Sequence, residues 1–106
     1  MGTYLFRASY TVDGIRGILA EGGTARLKTV KKLVSSLGGK VVTAYWAFGD
    51  DDFLLVAELP DNTAAAALAS RVSASGIAGI STTVLLSAEE LDAACALKVN
   101  YTPPKT

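Results

Sequence analysis

No histidine occurs anywhere in this chain, and cysteine, methionine and tryptophan occur once each. The missing imidazole removes the usual neutral-pH general base and the commonest protein ligand for zinc or haem. A single cysteine, Cys95, permits no internal disulfide and fits a reducing compartment. Neither sign of charge is in surplus, since ten Lys and Arg stand against ten Asp and Glu. That balance argues against general binding of nucleic acid, which calls for a basic excess. No apolar run approaches the roughly 20 residues that span a bilayer. The opening Met1-Gly2-Thr3-Tyr4-Leu5-Phe6 has neither the basic start nor the long apolar stretch of a secretion signal. The expectation is a cytoplasmic protein with no metal, no cofactor, and neither nucleic acid nor membrane as a partner.

What is present suits one folded domain. The 106 residues are half hydrophobic, with a mean hydropathy of +0.35. A chain of this size buries something like two-thirds of its unfolded surface, so a core forms without disulfides or metals. No linker divides it. Residues 1–98 read as a single domain and 99–106, with Pro103-Pro104, as a tail.

Along residues 3–10, Tyr4, Phe6, Ala8 and Tyr10 alternate with Leu5, Arg7 and Ser9, the period of a strand. From Thr11 to Gly23 the glycines and Asp13 interrupt any period, so only a short helical turn around Ile15, Ile18 and Leu19 is predicted. From Thr24, an expected N-cap, Leu27, Val30, Leu33, Val34 and Leu37 recur at helical spacing up to the stop at Gly38-Gly39. Lys40 to Phe48 and Phe53 to Leu59 have strand composition and are joined by the turn Gly49-Asp50-Asp51-Asp52. Asp61 caps a second helix to about Ser75, Gly79 to Leu86 alternates as a fourth strand, and Ser87 opens a short helix to about Leu97. The order is that of an α+β, ferredoxin-like βαββαβ sandwich with a C-terminal helix.

In such a fold the two main helices cover one face of the sheet. The other face should then carry polar residues at alternate positions. Here Phe53-Leu54-Leu55-Val56-Ala57 is apolar on both sides, and neither Val41, Tyr45 and Ala47 nor Val42, Ala44, Trp46 and Phe48 form a polar set. The second face therefore needs a cover. A second copy packed sheet to sheet about a two-fold axis supplies one, and the terminal helix and tail folded beneath the sheet supply another.

The sequence offers several candidate sites. Arg7 and Glu58 are lone charges in apolar strands; they read either as an anion-holding Arg with an acid–base Glu, or as a structural or interface ion pair. Tyr10, Tyr45, Trp46 and Phe48 line a pocket for a flat apolar ligand, or else belong to core or interface. The run Asp50-Asp51-Asp52 has no metal-loop spacing and reads as a solvated turn. Lys28, Lys31 and Lys32, with Arg26, read as a solvated helix face, although Arg26 follows a glycine break where an anion could bind. Cys95 sits among alanines with no histidine to activate it, and reads as a small buried helix residue.

The runs Glu21-Gly22-Gly23-Thr24-Ala25-Arg26, Leu37-Gly38-Gly39-Lys40, Tyr45-Trp46-Ala47-Phe48-Gly49, Glu58-Leu59-Pro60-Asp61 and Thr82-Thr83-Val84-Leu85-Leu86-Ser87, together and in order, resemble the GYD domain family. The resemblance extends from about Tyr4 to Leu91. The family's Gly-Tyr-Asp signature falls on Gly49-Asp50-Asp51-Asp52, with Asp51 at the tyrosine position and Asp52 as the final aspartate. The resemblance implies a fold and assembly like those of the dimeric α/β barrel proteins, and no particular activity. Two functions follow as expectations. One is a homo-oligomeric module binding a small, partly apolar ligand through Arg7, Tyr10, Tyr45, Trp46 and Glu58. The alternative is a cofactor-independent enzyme of monooxygenase, isomerase or lyase type, with Arg7, Glu58, Tyr10 or Tyr45 moving protons.

Overall fold

Alternation in the sheet and 3.6-residue periodicity in the helices give the same architecture in three dimensions. The computed structural model describes residues 1–105, with β1 (Gly2–Tyr10), α1 (Val12–Glu21), α2 (Gly23–Ser36), β2 (Lys40–Trp46), β3 (Phe53–Leu59), α3 (Asn62–Ala74), β4 (Ala78–Leu85) and α4 (Ala88–Ala96). The four strands form one antiparallel sheet in the order β2-β3-β1-β4, so the most apolar strands are central, as the ferredoxin-like reading expects. Tyr4, Phe6 and Ala8 of β1 and Phe53, Leu55, Ala57 and Leu59 of β3 turn to the helices and are buried against Val34 of α2 and Ala65 and Leu68 of α3. Each large side chain so removed from water contributes about 1.5–3 kcal/mol.

Helix α1 corrects the expectation for residues 11–23. It is a full ten-residue helix rather than a short turn. Thr11 caps it, its hydroxyl accepting from the Gly14 N–H at 3.2 Å and donating to the Gly76 carbonyl at 2.7 Å. Gly14 lowers helix propensity but is buried, and a Cβ there would collide with the Ile77 carbonyl. Close docking against the 76–77 turn thus outweighs propensity. At Gly22 the backbone adopts φ 83°, a left-handed conformation that glycine reaches at little cost. The chain reverses there and α2 begins at once. Gly22 is therefore the N-cap of α2, with no side-chain hydrogen bond, and Thr24 lies inside the first turn rather than capping it.

Two further departures concern the sheet. A register shift between Val41 and Thr43 breaks the simple alternation of β2. It puts Val41 with Ala44 and Trp46 against the core, while Tyr45 turns to the open face. The strand also ends at Trp46, and the Ala47 N–H donates to the Asp52 carbonyl at 2.9 Å to close the hairpin. On the open face, Leu5, Leu54, Val56 and Leu85 are half-buried and make an apolar band bordered by Thr3, Lys40, Glu58, Arg7 and Ser81.

Helix α4 does not fold beneath that band. Its capping box is complete, with Ser87 and Glu90 exchanging bonds at 3.1 Å, yet none of its residues is buried. Cys95 is accordingly exposed, not a small buried helix residue. The chain extends 55 Å along its longest axis, and its radius of gyration of 16.9 Å exceeds the roughly 13 Å of a compact chain of this length. Among the described residues no helix is long and apolar enough to cross a membrane.

Candidate ligand-binding groove

Tyr10 ends β1 where α1, α2 and the β2–β3 hairpin converge, and this position follows from the local chain. The register that buries Tyr4, Phe6 and Ala8 aims Tyr10 at the helices, and the Thr11 cap turns the backbone directly into α1. The Tyr10 N–H lies beyond the last pairing with β3, where it donates instead to the Asp52 carboxylate at 2.7 Å. The Asp52 N–H in turn donates to the Ala8 carbonyl at 2.8 Å, and the Ser9 hydroxyl donates to the Asp50 carbonyl at 3.0 Å. The aspartate turn is thus fastened to the end of β1. A charge-assisted bond of this kind is worth more than a neutral one.

The side chain of Tyr10 is held from the other direction. The Trp46 Nε1–H donates to its hydroxyl at 3.2 Å, while the indole packs on Phe53 with ring centroids 4.7 Å apart. Among the described residues the Tyr10 hydroxyl proton is given to no protein acceptor, so it remains a free donor. Burial raises the Tyr10 pKa above the ordinary value of 10.0. The Trp46 hydrogen bond and the Arg26 charge pull it down, the Asp52 charge pushes it up, and burial prevails. The phenol is therefore protonated at neutral pH.

Around this pair lies an open groove of about 500 Å³ lined by Tyr10, Ile15, Ile18, Gly23, Trp46, Ala47, Phe48 and Asp52. Its size is that of a small-molecule site. Phe48 stands wholly exposed at the rim. On the inner side of Tyr10 a narrower cavity of about 50 Å³ runs between helices and sheet, walled by Phe6, Val30, Leu55, Leu68 and Ile80, with Arg26 also on its wall. Tyr10 is common to both spaces. A ligand with an apolar body and one acceptor facing the phenol fits this chemistry, and Arg26 places a positive charge nearby.

Of the residues singled out in the sequence, Tyr10 and Trp46 come together here, with Phe48 beside them. Tyr45 is exposed on the opposite face of the sheet. Arg7 and Glu58 share that open face but lie at opposite ends of it. Arg7 stands across from Leu54 and Ser81, and Glu58 across from Thr3 and Lys40. Four positions along a strand separate them by roughly 13 Å, so they do not pair within the chain. The groove adds Asp52, Ile15 and Ile18, which sequence reasoning assigned to a solvated turn and a short helical turn. Among the described residues no group of three or more His, Cys, Asp or Glu is placed to hold a metal ion.

A family model described as GYD domain matches residues 4–95. No curated protein and no solved structure matches the chain.

Proposed function

The chain belongs to the GYD domain family, and we propose that it is a cytoplasmic, homo-oligomeric module that binds a small, partly apolar ligand in the groove beside Tyr10. The observation that carries this reading is the uncommitted hydroxyl proton of Tyr10, fixed by Trp46 inside an apolar groove of ligand size. Such a donor discriminates strongly among otherwise similar ligands, because an analogue without the acceptor leaves a polar group dry and unpaired. Ile15, Ile18 and Phe48 supply the apolar walls, and Trp46 supplies a face for a flat ring.

A proton-transferring enzyme needs an acid–base group beside the bound ligand. Glu58 lies on the other side of the sheet, and the Asp52 carboxylate at the groove already accepts from the Tyr10 N–H. These placements, together with a Tyr10 phenol that burial keeps protonated and so a hydrogen-bond donor rather than a base, favour binding over catalysis. The homo-oligomer draws support from the apolar band on the open face, which α4 leaves uncovered.

The test is a titration with 1-anilinonaphthalene-8-sulfonate, an aromatic sulfonate, read by the rise in the probe's own fluorescence, a signal that persists when Trp46, the only tryptophan, is replaced. Saturable binding at one site per chain, weakened at least tenfold in Trp46→Leu, is the expected result. Non-saturating binding, or equal affinity in Trp46→Leu, overturns the groove as the site.

A further inference from the structure

We propose that the C-terminal arm, residues 86–101, is an assembly segment that docks on the α2 face of a second copy of this chain. The inference deepens the reading of the chain as a homo-oligomer and rests on it, but it does not depend on the groove. Leu86, Leu91, Leu97, Val99 and Tyr101 are each more than half exposed, and the arm buries none of its residues. So many large apolar side chains on one uncovered segment mark a contact surface rather than a solvated tail. Helix α4 has only nine residues. Isolated helices shorter than about 12–15 residues are marginal in water even when rich in alanine. Its capping box satisfies the helix end but supplies no packing partner.

Charge selects the partner. The chain is neutral overall, yet these two segments carry opposite net charge: the arm sets Glu89, Glu90 and Asp92 against Lys98, and α2 holds Arg26, Lys28, Lys31 and Lys32 with no acid. Glu89, Glu90 and Asp92 are exposed on the arm, while Lys28, Lys31 and Lys32 are exposed on α2. An acidic arm and a basic helix face on one neutral chain make each copy complementary to the next. If each arm buries about 400 Å² and covers a like area, a reciprocal exchange reaches roughly 1,600 Å², the size of a standard stable interface. Reciprocity about a two-fold axis also pairs the two arms off within that contact, so the arms themselves do not propagate a fibre.

The experiment is sedimentation equilibrium on the full chain, with far-UV circular dichroism and Trp46 emission confirming that each variant is folded. The full chain is expected to self-associate. Leu91→Lys with Leu97→Lys should raise the dissociation midpoint at least tenfold, and so should Lys28→Glu with Lys31→Glu. Mixing that lysine-reversed variant with Glu89→Lys/Asp92→Lys should restore association between the two, a rescue that damaged folding would not give. A chain that stays single at 100 μM overturns both this inference and the homo-oligomer. A chain that associates with midpoints unmoved by the arm and α2 variants, or with no rescue in the mixture, overturns the arm alone and leaves the sheet face as the contact.

Discussion

Trp46 and Tyr10 are joined by a 3.2 Å hydrogen bond although their strands are not neighbours. Strand β3 runs between them, and the indole crosses it by lying on Phe53, its register partner. One tryptophan therefore ties an edge strand to a central one above the core, and it holds the phenol in the orientation that the groove requires.

Tyr10→Phe keeps the ring and removes the oxygen, leaving the Trp46 N–H without its acceptor. The expected loss of stability is about 1 kcal/mol, the net worth of one neutral hydrogen bond. Binding of the anilinonaphthalene probe should weaken about tenfold if its sulfonate accepts from the phenol. Urea denaturation followed by Trp46 emission checks the first figure, and the titration checks the second. A variant unchanged in both would remove Tyr10 from the site.

The raised Tyr10 pKa has a stability consequence of fixed sign. The unfolded chain releases this proton near pH 10, and the folded protein releases it only at higher pH. Below pH 10 both states hold the proton, and the contribution is fully present. Above it the unfolded state ionises first, and stability falls until the folded pKa is passed. Urea midpoints of the parent chain should therefore drop more steeply above pH 10 than those of Tyr10→Phe, while the two curves run parallel between pH 7 and 9. Parallel curves throughout would show that burial does not hold the phenol neutral.

Asp52 is the second anchor of Tyr10, through the backbone rather than the ring. Asp52→Asn retains an acceptor at that point, whereas Asp52→Ala leaves the Tyr10 N–H unpaired. The alanine variant should lose about 2 kcal/mol and the asparagine variant less than about 1 kcal/mol, the difference between losing a charge-assisted bond and weakening it. Thermal denaturation of the pair measures it. Equal losses would mean that the carboxylate charge, not the acceptor geometry, fixes the strand end.

The part of this molecule written in local pattern was legible without coordinates. Alternation at Tyr4, Phe6 and Ala8, periodicity at Val30, Val34 and Leu37, and the caps at Asp61 and Ser87 each depend on residues a few positions apart. The departures depend on residues distant in sequence. Gly14 becomes acceptable in α1 only because Ile77 lies against it, and the register shift in β2 appears only against Val56 and Ala57 of β3. The site follows the same division. The aromatic residues Tyr10 and Trp46 are visible as candidates, but Arg7 and Glu58 are paired only as lone charges in apolar strands, a criterion blind to position along the strand. Asp52 looked like one of several solvated acids until the end of β1 supplied an N–H for it to hold.

The open face of the sheet gives the last test, and the choice of residue decides whether it is informative. Leu55 is 3% exposed on the core side, so a lysine there would unfold the domain and say nothing about assembly. Leu54 and Val56 lie on the open face and are only half-buried in the single chain. Lysines at both positions should cost a lone chain little, because the long stems can cover the band while the ammonium groups stay in water. Across a two-fold contact, however, they would meet their own copies, burying like charges against one another. The expected outcome for Leu54→Lys/Val56→Lys is a melting temperature that depends less on protein concentration and a dissociation midpoint raised at least tenfold, with the Trp46 emission spectrum preserved. If the double variant sediments like the parent chain at every concentration, water already covers that face, and any self-association must run through another surface.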